Sequence, residues 1–518
     1  MGVALYTAEQ VSNLDRLAKT EFAVDGYDLM VQAGEAAFSS VISQWPAVKQ
    51  LIILCGGGNN GGDGLVVARL AKQHHIEVQI VMPVDMVNLS GEARQAADDV
   101  LASGLTILNP DQADWPLSLE GSATSCEVII VDALFGSGLS GEVTPPYESL
   151  INQANNSGLP ILAIDVPSGL NATTGVVGSC AILAHVTLTM IDYKQGLFTG
   201  DGPAHCGDVR LARLNLPDQV RKLEASSSRL ESWLELSQLP RFQARAIDNH
   251  KGYYGHVLVV GGDLGCGGAI SLAAGAALRS GAGLVSVATR PEHVTGVLSR
   301  FPEAMVHGVK SGQDLQMLLD KADAIVVGPG LGQSYWGEQL LQQVMAVHTP
   351  VMLDADALNI LAKGRIKHNL AERISVMTPH PGEASRLLGL GNSHLQARTN
   401  LNRFDVVKDL VSLYSSSVVL KGVGSLICTQ LEQNTNDTAG HLISICNDGN
   451  AGMASGGMGD VLSGIVGSLM AQSLNAKNEE LSFREESSFS SALHELVTAA
   501  VCMHSAAADV AATQGQAG

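Results

Sequence analysis

Short apolar runs that end at glycine or aspartate recur along this chain, and each is followed by a stretch with helical hydrophobic spacing. The runs are nearly continuous and rich in valine and isoleucine, which is typical of parallel strands that are buried on both faces. This alternation predicts an α/β protein whose parallel sheets are covered by helices. In the first half we expect strands at 51–55, 78–82, 128–132, 160–165 and 185–190. In the second half we expect strands at 256–261, 284–289, 324–328, 350–354, 374–378 and 417–421.

The chain length predicts more than one domain, because 518 residues exceed an ordinary single core. Hydrophobic residues make up 46% of the chain but aromatic residues only 4%, so the cores must be aliphatic and rich in alanine. A segment with no strand pattern separates the two halves. We therefore expect a first domain at 1–216, a linker at 217–245 and a second domain at 246–518. The glycine-rich motifs of the two halves differ, which argues against an internal duplication.

The net charge limits the kinds of partner. A formal charge of −20 argues against nucleic acid, whose backbone needs clustered lysine and arginine, but not against small phosphorylated ligands. The N-terminus lacks a basic region before an apolar core, and no apolar run approaches the roughly 20 residues of a membrane span. We therefore expect a cytoplasmic protein without a membrane partner. The eight cysteines are scattered without a CxxC pair, which favours buried, reduced thiols over a zinc or disulfide framework.

A glycine-rich loop, GGGNNGGDG at 56–64, follows the first predicted strand and precedes a helix. Such a unit places a ligand at the carboxyl edge of a parallel sheet, although this loop matches neither GxGxxG nor a Walker motif. Asn59, Asn60 and Asp63 add side-chain groups that a backbone cradle does not need. A simple turn is the alternative interpretation.

Two further strand ends point to the same edge of the first sheet. Asp132 and Asp165 each end a predicted strand, and Ser168 follows in IDVPSG. The Asn60 amide, the Asp132 carboxylate and the Ser168 hydroxyl offer only oxygen, which suits a hard cation such as K⁺ or Mg²⁺. Alternatively, the aspartates only cap the helices that follow.

The second half contains GNAGMASGGMGDVLSG at 449–464, in which glycines and small residues lead into Asp460 and a continuous apolar helix. Inward N–H groups and the helix N-terminus form a phosphate cradle. A carboxylate beside such a cradle suits a base that acts on a hydroxyl near the phosphate, or a ligand for a cation. A tight loop that packs small residues against a neighbouring helix is the other interpretation.

Other motifs of the second half lie at or after the ends of predicted strands. Lys421 begins KGVGS, a turn that suits the phosphates or ribose of a nucleotide. His380 stands between two prolines in TPHPGEA, so it either lines a site in a stiff loop or is structural. These motifs share one sheet edge with GPGLG at 328–332 and with DADALN at 354–359.

The motifs NNGGDG, DALFG and DVPSG, in this order, resemble the NAD(P)H-hydrate epimerase domain over about residues 8–215. The resemblance implies a Rossmann-like three-layer domain that interconverts the R and S forms of nicotinamide hydrated at ring carbon 6. It implies a K⁺ site at Asn60, Asp132 and Ser168, an acid/base role for Asp165, and a lesser role for Lys194. Dinucleotide contacts are implied for Asn59, Asn60, Gly61, Gly62, Asp63, Gly136, Ser137, Gly138, Leu139, Ser140, Gly141, Glu142 and Asp165. Gly57 stands where the family usually has proline.

The motifs HKGxxG, GPGLG, TPHPGE and NAGMASGGxGD resemble the ribokinase-like NAD(P)H-hydrate dehydratases, over about residues 246–512. The resemblance implies that ADP, or alternatively ATP, binds with Mg²⁺ and that Asp460 is the base, so that the ring hydroxyl accepts a phosphoryl group that then leaves as phosphate. It places the hydrated nicotinamide near Ala269, Gly332, His380 and Asp460. It places the nucleotide at Lys421, Gly422, Val423, Gly424, Ser425, Asn450, Ala451, Gly452, Met453, Ala454, Ser455, Gly456, Gly457, Met458 and Gly459. Met458 replaces a threonine that is common in the family.

Together these features predict a bifunctional metabolite-repair enzyme that acts on hydrated NADH and NADPH, and we expect a homo-oligomer. Its products from the dehydration step would be NAD(P)H, AMP and phosphate. A ribokinase-like kinase for a small molecule, with a first domain that only binds a dinucleotide or serves as a scaffold, is the alternative.

Overall fold

Strands and helices alternate through most of the chain in the computed structural model, which describes residues 2–112, 127–139, 141–239, 248–390, 402–431, 440–474 and 489–515. The chain divides into two compact units, one at Ala4–Ser228 and the other at Arg229–Gly518 together with Met1–Val3. The division falls inside the segment 217–245 that the sequence analysis treats as a linker. We describe the units as N-terminal and C-terminal.

The N-terminal unit is built on a seven-stranded sheet in the order β4-β3-β2-β5-β6-β7-β8, and all of its strand pairs are parallel. The chain begins with β1 (Val3–Leu5), and the strands of this sheet follow as β2 (Gln50–Cys55), β3 (Glu77–Val81), β4 (Ile107–Leu108), β5 (Val128–Ala133), β6 (Ile161–Ile164), β7 (Val186–Met190) and β8 (Asp208–Ala212). The helices are α1 (Ala8–Glu21), α2 (Gly26–Gln44), α3 (Asn59–Gln73), α4 (Gly91–Ala102), α5 (Tyr147–Asn156), α6 (Gly202–Cys206) and α7 (Asp218–Arg221).

Both faces of this sheet are covered, which gives the three layers that the resemblance implied. Along β2, Leu51 and Ile53 belong to one apolar cluster and Ile52 and Leu54 to another, because successive side chains of a strand point to opposite faces. Each predicted strand of this half is present. The sequence analysis missed β4 and β8, which lie at the edges of the sheet and carry fewer buried apolar residues.

The C-terminal unit contains an eleven-stranded sheet in the order β1-β9-β18-β17-β16-β15-β14-β13-β10-β11-β12. Its strands are β9 (Ser228–Glu231), β10 (His256–Val260), β11 (Leu284–Thr289), β12 (Met305–Gly308), β13 (Ala324–Val327), β14 (Val351–Leu353), β15 (Ser375–Met377), β16 (Ser417–Leu420), β17 (Leu426–Gln430) and β18 (His441–Cys446). Its helices are α8 (Trp233–Leu236), α9 (Gly267–Arg279), α10 (Val294–Arg300), α11 (Gln316–Leu319), α12 (Tyr335–Met345), α13 (Ala355–Ala362), α14 (Pro381–Leu387), α15 (Arg403–Tyr414), α16 (Met458–Leu474) and α17 (Phe489–Thr513).

All pairs among strands β10 to β16 are parallel, whereas β17 runs antiparallel to both of its neighbours, β16 and β18. The order reverses between β10 and β13, so the loops after these strands flank a crevice at the carboxyl edge. Each strand predicted for this half is present. Strands β12, β17 and β18 were missed.

Helix α16 packs closely on the centre of the C-terminal unit because glycines remove side-chain bulk on its inner face. A Cβ atom at Gly464 would lie 2.1 Å from the carbonyl oxygen of Ala273 on α9, and one at Gly467 would lie 2.1 Å from a methyl carbon of Val326 on β13. Both approaches are too short for any side chain. This packing fixes the start of α16, and with it Asp460, relative to the sheet.

One expectation needs correction. The predicted linker, in which the sequence analysis found no strand pattern, contains strand β9, which pairs in parallel with β18. Its sequence SRLE buries Ser228 and Glu231, so no apolar pattern marked it. Among the described residues, α17 is long and apolar enough to cross a membrane by length and composition alone. Half of its most apolar window is buried within the protein, and it packs on β17, β18 and α16 as a core helix does.

Candidate active sites

A cavity of about 750 Å³ opens in the N-terminal unit at the carboxyl edge of the sheet. The loops that follow β2 and β5 line it, and these are the strands between which the strand order reverses. Open parallel sheets bind ligands at this position. From these loops and the start of α3, the residues that line the cavity are Gly57, Gly58, Asn59, Asn60, Asp63, Leu134, Phe135, Gly136, Ser137, Gly138 and Leu139.

Asp165 and Lys194 form a buried ion pair that lines this cavity. The Lys194 Nζ atom lies 2.5 Å from Asp165 Oδ1, and it also donates to Thr189 Oγ1 at 3.1 Å and to the Met190 carbonyl at 2.6 Å. Asp165 Oδ2 accepts the Ser137 N–H at 2.9 Å. Burial opposes ionisation of Asp165, but the Lys194 ammonium and the N–H donors outweigh it and lower the pKa of the carboxyl.

The backbone of Asp165 is held in an uncommon conformation, with φ of 69°. A left-handed conformation at a residue other than glycine costs free energy, so the surrounding structure must enforce it, and such strain is concentrated at functional sites. The consequence is a carboxylate that is fixed at the edge of the cavity. The direct ion pair with Asp165 gives Lys194 a larger role in the site than the sequence analysis assigned to it.

A second cluster of oxygen atoms surrounds Asp132, which is fully buried. Asp132 accepts the Ser168 hydroxyl at 2.6 Å and the Ser168 N–H at 2.8 Å, and Ser168 Oγ accepts the Phe135 N–H at 2.9 Å. Burial raises the pKa of Asp132 to about 6, because its hydrogen bonds only partly offset the loss of water. Within the described residues, neither atom of the buried Asn60 amide has a hydrogen-bond partner.

Gly136 lies between these two groups. A Cβ atom there would lie 3.0 Å from Asp165 Oδ2 and 3.3 Å from Asn60 Cγ, so Asn60 and Asp165 flank the same glycine. Asn59, Asn60 and Asp63 begin α3 and line the cavity with Gly136, Ser137, Gly138 and Leu139. Gly61, Gly62, Gly141 and Glu142 are absent from its lining, and Ser140 lies outside the described residues. Burial, and the charge of Asp165 next, raise the pKa of Asp63 well above its ordinary value.

In the C-terminal unit, acidic and basic side chains converge from the ends of three neighbouring strands. Asp354 follows β14, Glu383 lies on α14 after β15, and Lys421 follows β16. The Lys421 Nζ atom is 2.8 Å from Asp354 Oδ1 and 4.0 Å from Glu383 Oε2. Asp354 is fully buried and also accepts the hydroxyls of Thr378 and Ser463, each at 2.9 Å. The Lys421 ammonium thus partly neutralises a buried acidic cluster.

Asp460 lies in the first turn of α16, beside this cluster. A Cβ atom at Gly459 would lie 3.2 Å from Lys421 Nζ and 3.4 Å from Asp354 Oδ2. Burial raises the pKa of Asp460 to about 6, as do the charges of Asp354 and Asp356, whereas Lys421 lowers it. A carboxylate with this pKa can accept a proton near neutral pH, which is the property that a general base needs.

The predicted nicotinamide contacts flank the β10–β13 crevice, with Ala269 in the first turn of α9 and Gly332 on the loop after β13. A Cβ atom at Gly330 would lie 3.1 Å from the Cβ of Ala269. The Gly332 N–H donates to Asp356 Oδ2 at 3.0 Å, and the charge of Asp356 acts on Asp460. The structure therefore brings Gly332 and Asp460 to a common acidic region.

His380 begins α14 and closes its first turn. Its Nδ1 accepts the Gly382 N–H at 3.0 Å, and Glu383 Oε2 accepts the His380 N–H at 2.9 Å. Burial, and the positive charge of Lys421 next, lower the pKa of His380, so the ring is neutral at pH 7. These hydrogen bonds give His380 a structural role as the cap of α14, and half of its side chain remains exposed.

The two predicted nucleotide segments are held by separate anchors. Arg403 Nη1 donates to the Val423 carbonyl at 2.5 Å, and Lys421 N–H donates to the Pro379 carbonyl at 3.0 Å, which together hold 421–425 beside the β15 loop. Gly449 N–H and Asn450 Nδ2 each donate to Asp509 on α17 at 2.8 Å. The segment 451–459 ends at the start of α16, where the first N–H groups of a helix have no partner within the helix.

Sequence reasoning assigned no role to Asp354, although it mentioned the segment that contains it. A signal was available, because Asp354 ends an apolar strand in the same way as Asp132 does. Asp263 was missed entirely. It pairs with Arg290 at 2.8 Å and accepts the Ser334 hydroxyl at 2.8 Å, which ties the β10 loop to its neighbours.

Comparison with known proteins covers both units. A family described as YjeF-related protein N-terminus matches residues 26–196, and a family described as NAD(P)H-hydrate dehydratase matches residues 257–518. The bifunctional NAD(P)H-hydrate repair enzyme Nnr of Coxiella burnetii is 44% identical over 511 residues, covering 99% of this chain and 95% of that protein. The Escherichia coli enzyme of the same name is 40% identical, covering 91% of this chain and 86% of that protein.

The chain belongs to the bifunctional NAD(P)H-hydrate repair enzymes.

This repair enzyme is accordingly an NAD(P)H-hydrate epimerase in its N-terminal unit and an NAD(P)H-hydrate dehydratase in its C-terminal unit, as the resemblance of the motifs implied. Among solved structures, an ADP/ATP-dependent NAD(P)H-hydrate dehydratase from Bacillus subtilis, co-crystallised with ATP/Mg²⁺, is 26% identical. It covers 55% of this chain and 90% of that chain, with a TM-score of 0.42.

Proposed function

We propose that the two reactions of this repair enzyme are carried by Asp165 with Lys194 in the epimerase cavity and by Asp460 in the dehydratase crevice. The observation that supports this assignment is that each aspartate has a perturbed pKa and a defined place: Asp165 lines the cavity at the carboxyl edge of its sheet, and Asp460 lies beside the cluster of Asp354 and Lys421. In this proposal the epimerase domain covers 1–216, the linker 217–245 and the dehydratase domain 246–518.

Inversion at ring carbon 6 of a hydrated nicotinamide requires the hydroxyl to leave and water to return on the other face. The ring nitrogen supports the cation that forms, and the ionised Asp165 stabilises it. A proton passes from the Lys194 ammonium through Asp165 to the departing hydroxyl, and the attacking water returns a proton by the same route. The hydrogen bond of 2.5 Å between Lys194 Nζ and Asp165 Oδ1 supports this path.

A K⁺ ion fits the oxygen cluster at Asn60, Asp132 and Ser168. The buried Asn60 amide has no hydrogen-bond partner among the described residues, and a buried amide oxygen of this kind is suited to a cation. The burial that raises the pKa of Asp132 also supports a cation beside this carboxylate. When bound, the ion supplies a fixed positive charge beside the dinucleotide. The remaining substrate contacts are the residues of 59–63 and 136–142 that line the cavity, namely Asn59, Asn60, Asp63, Gly136, Ser137, Gly138 and Leu139.

In the dehydratase crevice, Asp460 takes the proton of the ring hydroxyl as that oxygen attacks the terminal phosphate of ADP. The carbon–oxygen bond then breaks, phosphate leaves, and loss of a ring proton restores the double bond of NAD(P)H. The products are NAD(P)H, AMP and phosphate. The hydrated ring lies near Ala269, Gly332 and His380, and the nucleotide contacts 421–425 and 450–459.

Mg²⁺ fits the surplus of negative charge in this crevice. Burial, and next the charges of Asp354 and Asp356, raise the pKa of Asp460, and a divalent cation offsets such charge repulsion when the phosphates are also present. When bound, Mg²⁺ neutralises the charge of the phosphates. We also propose that the enzyme uses ADP, with ATP as the alternative nucleotide, is a homo-oligomer and works in the cytoplasm.

The test uses the full-length protein and a mixture of R and S NADH hydrates, with ADP and Mg²⁺. We expect the wild-type protein to convert both epimers to NADH, measured by absorbance. Asp165→Asn should convert the S epimer at an unchanged rate and the R epimer only at its uncatalysed rate. Asp460→Asn should form NADH far more slowly but should still interconvert the epimers at the wild-type rate, measured by chromatography.

The matched controls are Asp208→Asn and Asp320→Asn, which alter exposed aspartates of the N-terminal and C-terminal units. Both should behave as the wild type does. We expect each active-site variant to lose about 10²- to 10⁴-fold in its own reaction, as is usual for an acid/base group. If Asp460→Asn loses ADP affinity instead of turnover, that aspartate is a binding residue and the assignment is wrong. A stable phosphorylated product would favour the kinase alternative.

A further inference from the structure

Two thiols and a carboxylate meet in the C-terminal unit, outside the groups assigned to the two reactions. Cys446 ends β18, Asp448 follows two residues later, and Cys502 lies on α17. Their two sulfur atoms and one carboxylate oxygen all lie within 4.8 Å of one another. Both cysteines are buried, and Asp448 is partly exposed. The side chains of a metal site are therefore assembled here by residues that are distant in sequence.

Neighbouring groups already orient this cluster. Asp448 Oδ2 accepts the Trp233 N–H at 2.7 Å, which fixes the carboxylate beside the two sulfurs. The Cys502 thiol lies 3.6 Å from the Glu231 carbonyl.

We propose that Cys446, Asp448 and Cys502 bind a thiophilic divalent cation, for which Zn²⁺ has the best match. Two sulfur ligands and one oxygen ligand suit zinc and disfavour Mg²⁺ and K⁺, which prefer sites made only of oxygen. The separations of the ligand atoms are compatible with three corners of a tetrahedron around one ion. Two thiolates and one carboxylate carry three negative charges, so a divalent cation leaves the bound cluster with one.

The position of the cluster gives the cation a structural effect. Asp448 immediately precedes the glycine-rich segment 449–459, and this segment is already tied to α17 through Asp509. Cys502 lies about two helical turns before Asp509 on the same helix. A bound cation therefore joins the start of the segment to α17 at a second point. We expect it to raise the unfolding temperature of the C-terminal unit, because it binds the folded chain.

The test uses the full-length protein, reduced and stripped with a chelator, and titrated with Co²⁺ and then Zn²⁺. We expect one Co²⁺ per chain with thiolate-to-cobalt charge-transfer absorbance, which Zn²⁺ then displaces. Cys446→Ser and Cys502→Ser should each lose at least about 100-fold in affinity, the upper limit for loss of a mere outer-shell partner. The matched control Cys180→Ser, which alters a thiol of the N-terminal unit, should bind as the wild type does.

Four results would overturn the proposal. The first is an absence of charge-transfer absorbance, and the second is equal binding by the wild type and Cys446→Ser. The third is loss of binding in Cys180→Ser. The fourth is a Cys446–Cys502 disulfide that persists after treatment with the reductant, detected by mass spectrometry. If the cysteine variants fail to fold, two other measurements test the proposal: the affinity of Asp448→Asn for the metal, and the number of protons that the wild type releases on binding zinc. We expect Asp448→Asn to bind at least about 10-fold more weakly with its charge-transfer absorbance retained. Zinc should release between about one and two protons per chain, since ligand thiols lose their protons. Lesser release refutes thiolate ligation.

Discussion

Lys421→Met provides the sharpest test of the dehydratase crevice, because the Lys421 ammonium has a structural role as well as a proposed role in nucleotide binding. Its Nζ atom lies 2.8 Å from Asp354 Oδ1, and the two side chains are 22% and 2% exposed. Removing the ammonium leaves a buried carboxylate whose remaining side-chain donors are the hydroxyls of Thr378 and Ser463. Breaking a buried ion pair by removing one partner costs about 3–5 kcal/mol.

We expect a loss near the lower end, about 3 kcal/mol, because the two hydroxyls stay bound and Lys421 is partly exposed. At roughly 2 °C per kcal/mol for a unit of this size, the calorimetric transition of the C-terminal unit should fall by about 6 °C. The double variant Lys421→Met/Asp354→Asn removes the uncompensated charge while keeping the shape. It should recover to within about 1 kcal/mol of the wild type.

ADP affinity separates the two roles of Lys421. If this lysine also binds phosphate, the double variant should regain stability but still bind ADP weakly, measured by calorimetric titration. Lys421→Arg is the conservative control, since it keeps the charge. A loss below about 1 kcal/mol in the single variant, or no recovery in the double variant, would show that the buried pair is not what we describe.

Three further predictions follow from the same geometry. The dehydration rate should fall as the pH drops through about 6, because Asp460 takes up a proton there. In Lys421→Met this decline should move to higher pH, because Lys421 lowers the pKa of Asp460. A rate that does not change with pH would contradict a base role for Asp460. Potassium activation of epimerisation should weaken below a pH of about 6, because a protonated Asp132 has no negative charge to attract the ion. Activation that does not change with pH would count against a potassium site at this carboxylate. Gly464→Val should destabilise the C-terminal unit by at least about 3 kcal/mol in calorimetry, since its Cβ would lie 2.1 Å from the Ala273 carbonyl. The control Gly296→Val, at an exposed position of α10 with no atom near its Cβ, should change the stability by less than about 1 kcal/mol, because valine is a slightly better helix former than glycine. Equal losses would refute the close packing of α16.

The linkage of Asp132 to stability has the opposite sign from that of a salt-bridged carboxylate. Its pKa in the folded protein is raised to about 6 from an ordinary value of 3.8, so burial favours the protonated form. The folded state without the ion is therefore penalised as pH rises from about 4 to 6. A shift of about two units corresponds to about 3 kcal/mol at pH 7. A bound cation would relieve this penalty, so K⁺ should raise the unfolding temperature of the N-terminal unit at pH 7 more than at pH 5.

The sequence determined the fold class because buried parallel strands need continuous β-branched runs. Every strand predicted on that basis is present, from β2 to β16. Strands at sheet edges, such as β8 and β12, could not be found in this way, since they need not be apolar on both faces. Strand β9 was missed for a related reason, because pairing with β18 rather than an apolar pattern defines it.

The catalytic motifs were also visible in the sequence, because glycine-rich turns and aspartates at strand ends are local features. The pairing of side chains was not visible. Lys194 reaches Asp165 across 29 positions and Lys421 reaches Asp354 across 67, and only the folding of the sheets brings them together. The pKa of each carboxyl depends on these partners and on burial, so neither shift could be derived from spacing.

The cysteines show this division most clearly. Their spacing in the sequence predicts buried, reduced thiols, because metal and disulfide frameworks are recognised by short, regular intervals. The packing of α17 against β18 instead places Cys502 beside Cys446 and Asp448. Sequence alone thus determined which residue types each element carries, since hydrophobic period and turn chemistry are local. The tertiary structure decided which of those residues meet, because contacts between distant elements arise only when their apolar faces pack.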